Sequence, residues 1–158
     1  DEIGGLMLFT QRALSDEVRA PVQISGTLSG LDSLTGFRAF HIHQFGQCEP
    51  TCGDAGGHHD AGPNANHSPD GNHPFHLGDI EQLHFRNGRA VYAHETTLIS
   101  LDPESPLSIH DLDGSAMIVH LLEDTNCPEG EAATCAGGGR AACGIIHRGE
   151  PPVVMIKQ

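Results

Sequence analysis

Positive charge is what this chain most lacks. Lys157 is its only lysine, and the formal net charge is −13. A surface of that sign repels phosphate backbones and anionic headgroups, which excludes nucleic acid and anionic membrane as partners. Aromatics are scarce as well, with six Phe, one Tyr and no Trp. No apolar run approaches the ~20 residues of a membrane-spanning helix. No helical period is sustained, and no internal repeat occurs. No C-x-x-C pair is present, so cysteine is a poor candidate for the metal ligand. The opening DEIGGLMLF begins with acids and lacks a signal-peptide pattern, as expected of a mature or trimmed form.

What is present points to strands. The 158 residues suffice for one domain with a sizeable core, and Gly 20 with Pro 10 implies many turns. GGLMLFTQRAL, APVQISGTLSGL and GFRAFHIHQF read as strands, the second alternating at Val22, Ile24 and Leu28. IEQLHFRNGRAVYAHE holds Asn87-Gly88 between two apolar runs, a strong hairpin signal. TTLISL, GSAMIVHLL, AACGIIHR and PVVMIK read as further strands. Two stretches lack periodicity: about 46–78, rich in Gly, Pro, Asn, Asp and His, and about 123–140, acidic and Gly-rich. A structureless insert that long in a compact domain is usually functional or disordered, and the histidines and cysteine inside the first stretch favour a functional, stapled loop. The expected architecture is an all-β sandwich or barrel with two long functional loops.

Seven residues stand at spacings that suit a two-metal site: His41, His43, His58, His67, His76, Asp79 and His120. Neutral imidazole binds copper and zinc well, and a single carboxylate suits zinc. His41 and His43 are two apart, so on a strand both point to one face. His76 and Asp79 flank Leu77-Gly78, which lets a turn fold both onto one ion. His120 ends the run SAMIVH and reaches the cluster from another strand. The remaining histidines, His59, His73, His84, His94, His110 and His147, read as ordinary structural or solvated residues.

The five cysteines are Cys48, Cys52, Cys127, Cys135 and Cys143. Four lie in segments that look like loops, which favours disulfides in an oxidising compartment. The odd count leaves one thiol free or paired between chains.

The strings HIHQFG, GGHHDAG, NHSP, HLGDI, MIVHLLED and GGRAACGII, from about Ala20 to Ile146, together resemble the copper/zinc superoxide dismutases. GGH around His58 is closer to bacterial members, and HIHQFG to animal extracellular ones. The resemblance implies an eight-stranded Greek-key β-barrel or sandwich over 1–158. It implies copper held by His41, His43, His58 and His120, and zinc held by His58, His67, His76 and Asp79, with His58 shared. Asp124 would link His41 to His67. Arg140 would guide the anion, and Thr134 would narrow the channel opposite it. Cys52–Cys143 would be the disulfide, with Cys48–Cys143 as the alternative pairing, and Cys127 and Cys135 would form a second bond. The implied reaction is disproportionation of superoxide, a small anion, to oxygen and hydrogen peroxide in an extracellular or otherwise exported, periplasmic-like compartment.

The chain departs from the family in two places. The second loop carries acids and no base before Arg140. Asp113, His147 and Arg148 stand where the familiar animal dimer has small or aliphatic residues, which puts that dimer in doubt, because a charge buried at an interface is costly unless paired; a monomer, a different dimer and a Cys48-linked dimer all stay open. The rival reading is a non-catalytic metal-binding or extracellular structural domain of the same fold. The full copper set with Arg140 and Thr134 argues for catalysis. His67, His76 and Asp79 argue against a copper-only enzyme.

Overall fold

The computed structural model describes residues 3–15, 18–30, 33–60, 76–125, 134–149 and 153–156. Apolar residues at alternate positions give the strands a buried face. In Val22–Ser29, Val22, Ile24 and Leu28 are wholly buried while Gln23 and Ser25 face solvent. Nine strands form among the described residues: β1 Gly4–Thr10, β2 Val22–Ser29, β3 Gly36–Arg38, β4 Phe40–His43, β5 Leu83–Phe85, β6 Arg89–Thr96, β7 Ala116–His120, β8 Arg140–His147 and β9 Val153–Ile156. One short 3-10 helix, Cys52–Ala55, is the only helix among them.

Seven strands pair antiparallel in the order β4-β7-β8-β9-β1-β2-β6, and β3 pairs with β5. Ala39 alone separates β3 from β4, so one extended path serves both sheets. β5 and β6 are joined by the Asn87-Gly88 turn, where both residues have positive φ (48° and 74°), as a type I′ hairpin requires. These two corners close the sheets into a Greek-key β-barrel. Counted as paths, β3 and β4 make one strand, which gives the expected eight.

The interior is filled by Met7, Phe9, Ile24, Phe40, Ile42, Leu83, Phe85, Met117 and Val119. Tyr92 packs edge-on against Phe40, and its hydroxyl donates to the Glu81 carbonyl at 2.8 Å. TTLISL does not form the strand expected of it. β6 takes Thr96, and the rest makes a single parallel bridge, Ser100 to Ser108. The Gln11 side chain accepts from the Leu101 amide (2.8 Å), a main-chain group that a ladder would otherwise serve, and from the Ser100 hydroxyl (3.1 Å).

Candidate metal centre

β4 is buried on both faces. Phe40 and Ile42 point into the core, and the alternation leaves His41 and His43 together on the other side, 0% and 1% exposed. The first long loop returns along this strand through main-chain bonds. His59 N donates to Ile42 O (2.8 Å), Gly78 N to His59 O (2.8 Å), and Ile42 N to Gly78 O (3.0 Å). The same approach pairs His41 with Asp79 and His43 with His58. A Cβ at Gly78 would lie 2.1 Å from the Ile42 oxygen, so only glycine allows the loop this close. From the other side, a bulge in the β7–β8 ladder between Val119 and His120 sets His120 opposite Arg140.

Two donor groups result. His41, His43, His58 and His120 offer one nitrogen each, and His58, His76 and Asp79 form a second set. Within each set the donor atoms lie within 4.8 Å of one another, and His58 belongs to both. The fit to metal can be tested on the protons. The Asp124 carboxylate accepts from His41 Nε2 at 2.8 Å, so the His41 lone pair is on Nδ1. The Gly138 carbonyl accepts from His120 Nδ1 at 3.1 Å, so the His120 lone pair is on Nε2. These two lone pairs face each other at 3.2 Å. The Gly56 carbonyl accepts from His43 Nδ1 at 2.9 Å, leaving Nε2 buried with no hydrogen-bond partner among the described residues. Lone pairs converging without a proton between them call for a cation. In the second set, His58 Nδ1 lies 2.6 Å from Asp79 Oδ1, and His76 Nδ1 lies 3.4 Å from Asp79 Oδ2. An imidazole and carboxylate set of this kind suits zinc, and the all-imidazole set suits copper.

Burial keeps these rings neutral. Desolvation lowers the His41 pKa to about 4 and the His120 pKa to about 3, and takes His43 well below its ordinary value. All three are therefore free bases at neutral pH, as ligation needs.

Arg140 is half-buried beside the short helix. Its guanidinium donates to the carbonyls of Cys52 (2.5 Å), Gly53 (3.2 Å) and Gly56. That helix is set by a capping box between Thr51 and Asp54. The Gly56 carbonyl thus serves both Arg140 and His43. Asp124 is held by Gln82, whose amide accepts from Asp124 N (2.7 Å) and donates to Asp124 O (3.1 Å). Gln82 escaped sequence reasoning, as did the carbonyls of Gly56 and Gly138. Their roles are main-chain contacts that no residue-type pattern announces.

One expected residue is placed otherwise. Cys48, not Cys52, is bonded to Cys143, with Cα atoms 5.7 Å apart, and Cys52 is a free thiol. Cys52 opens the short helix and turns its carbonyl to Arg140, which leaves Cys48 to reach β8. Thr134 lines a surface groove with Gly36, Phe37, Arg38, Leu121 and Cys135, and none of the cluster histidines lines that groove. The bridge from Asp124 to Ala136 ties this turn back behind β7, with Gly137–Gly139 between Thr134 and Arg140. Cys135 is disulfide-bonded. Its expected partner Cys127, and His67 of the expected zinc set, lie outside the described residues.

The family model described as copper/zinc superoxide dismutase matches residues 3–146. The superoxide dismutase [Cu-Zn] of Legionella pneumophila is 31% identical over 90% of this chain and 94% of its own length. Extracellular superoxide dismutase [Cu-Zn] of Oryctolagus cuniculus is 28% identical over 94% of this chain and 57% of its own, and that of Rattus norvegicus is 30% identical over 92% and 55%. The chain thus spans little more than half the length of these two relatives. Among solved structures, the clock protein EA4 superposes with a TM-score of 0.66 at 22% identity, covering 91% of this chain and 92% of its own. A double mutant of a SOD-like protein from Bacillus subtilis gives 0.61 at 22% identity, covering 97% of each chain.

Proposed function

The chain belongs to the copper/zinc superoxide dismutase family, and from that premise we propose that it disproportionates superoxide to oxygen and hydrogen peroxide in an extracellular or otherwise exported compartment. Copper and zinc are the metals. His41, His43, His58 and His120 would hold copper, and His58, His67, His76 and Asp79 would hold zinc. Copper supplies a one-electron redox couple when bound, and zinc, which has none, supplies a fixed charge.

The chain's residues do the rest. Asp124 fixes the His41 tautomer so that Nδ1 faces the site. Gly56 and Gly138 do the same for His43 and His120 through their carbonyls. His58, donor to both sets, holds them at a fixed separation, and we assign its Nε2 as the place where a proton waits between half-reactions. Arg140 receives the anion by charge-assisted hydrogen bonds. Its anchorage to three carbonyls aims it, and no carboxylate among the described residues pairs with it. The observation that carries the reading is the pair of buried lone pairs, His41 Nδ1 and His120 Nε2, facing each other at 3.2 Å beside the His58–Asp79 pair. Export is supported by the Cys48–Cys143 bond, since disulfides persist outside the reducing cytosol.

The test joins metal analysis to a superoxide disproportionation assay on one sample, with Arg140→Ala in parallel. One copper and one zinc per chain, fast turnover, and a drop of about tenfold or more in the variant are expected. Full metal content without turnover would instead establish the non-catalytic metal-binding domain.

A further inference from the structure

Three cysteines converge where the first loop meets the barrel. Cys143, on β8, packs with Ala55, Ala116 and Ile118, and both Cys48 and Cys52 pack against that cluster. Cys48 holds the bond to Cys143. Cys52, four residues on and partly exposed, keeps its thiol. The loop therefore carries two candidates for one position on β8. A thiol packed into the same cluster as a disulfide is the arrangement from which exchange proceeds, because the attacking sulfur needs no diffusional encounter.

We propose that Cys52 is a resident nucleophile that rearranges the Cys48–Cys143 disulfide, so that the protein exists as two disulfide isomers differing in how Arg140 is held. The Cys52 thiolate attacks Cys143 Sγ. A Cys52–Cys143 bond forms, the Cys48–Cys143 bond breaks, and its electron pair leaves on Cys48 Sγ, which takes up the proton that Cys52 released. The exchange is an isomerisation and needs neither oxidant nor reductant.

The consequence follows from the carbonyls. Arg140 donates to Cys52 O at 2.5 Å and to Gly53 O at 3.2 Å. Tying Cys52 Sγ to β8 moves the main chain that supplies those acceptors. It also moves the helix leading to Gly56, whose carbonyl holds His43 Nδ1. Releasing Cys48 at the same time frees the segment between Gly46 and Thr51 from the barrel. One isomer thus has the loop stapled at Cys48, with the Cys52 and Gly53 carbonyls aiming the arginine, and the other has it stapled at Cys52 itself.

The test is disulfide peptide mapping of the metal-loaded protein. It is held for a prolonged time at alkaline pH, because burial raises the Cys52 thiol above its ordinary value and thiolate is the minor form, then acid-quenched and alkylated. Both Cys48–Cys143 and Cys52–Cys143 peptides are expected, the minor one in about a tenth of chains or more, with the ratio independent of protein concentration. Cys52→Ser and Cys48→Ser should each trap one isomer, folded by circular dichroism, and the two should differ in turnover per bound copper. Cys48–Cys143 as the sole pairing after prolonged incubation would overturn the proposal, and so would a Cys48–Cys52 pair or a bond between chains. The map reads sulfur connectivity alone, so its outcome is separate from whether the protein turns over superoxide.

Discussion

Asp124 decides which nitrogen of His41 faces the site. Its carboxylate accepts the Nε2 proton at 2.8 Å, and Gln82 holds its main chain from both sides. Asp124→Asn keeps the shape and removes the charge. We expect metal affinity to fall by about tenfold or more, read by competition with a chromophoric chelator. The buried rings also give the metal-free protein a pH dependence. His41 and His120 have pKa values of about 4 and about 3 in the fold, against about 6.5 when unfolded. Below about pH 6.5 the unfolded chain binds the extra protons, so stability is full above that pH and declines as pH falls toward about 3. The loss should be on the order of several kcal/mol, seen as a falling melting temperature of chelator-treated protein, and bound metal should shrink it.

At the scale of elements, the hairpin between β5 and β6 is separable from the chemistry. Gly88 sits at φ 74°, and a β-branched side chain there is strained. Gly88→Val should cost about 1–3 kcal/mol in chemical denaturation and leave metal content unchanged. This turn was legible because Asn-Gly chemistry is local. The strands carrying His41, His43 and His120 were legible for the same reason, through alternation and the apolar run that His120 ends. What could not be read depends on long-range approach. Cys48 and Cys52 are both near enough to serve Cys143, and only the path of the loop past Arg140 decides between them. The place of Thr134 depends on a bridge between Asp124 and Ala136 that leaves no trace in residue type. TTLISL has the composition of a strand, but Gln11, distant in sequence, satisfies it as a loop.

The chain carries −13, and among the described residues the positive side chain beside the histidine cluster is the half-buried Arg140. On the proposed reading, long-range repulsion should oppose the encounter with superoxide, and Arg140 should act only at short range. The screening length shrinks from about 30 Å at 0.01 M salt to about 8 Å at 0.15 M. We expect kcat/KM to rise across that interval, measured by pulse radiolysis, and a fall would mean that attraction reaches beyond the mouth of the site. The ring of strands has another consequence. β9 pairs on one side with β1 and on the other with β8. Peeling it away would bare two rows of main-chain amides and carbonyls at once, each a template for a strand from another molecule. Any stress that loosens Val153–Ile156 is then the moment at which this protein is most exposed to swapping strands with its neighbours.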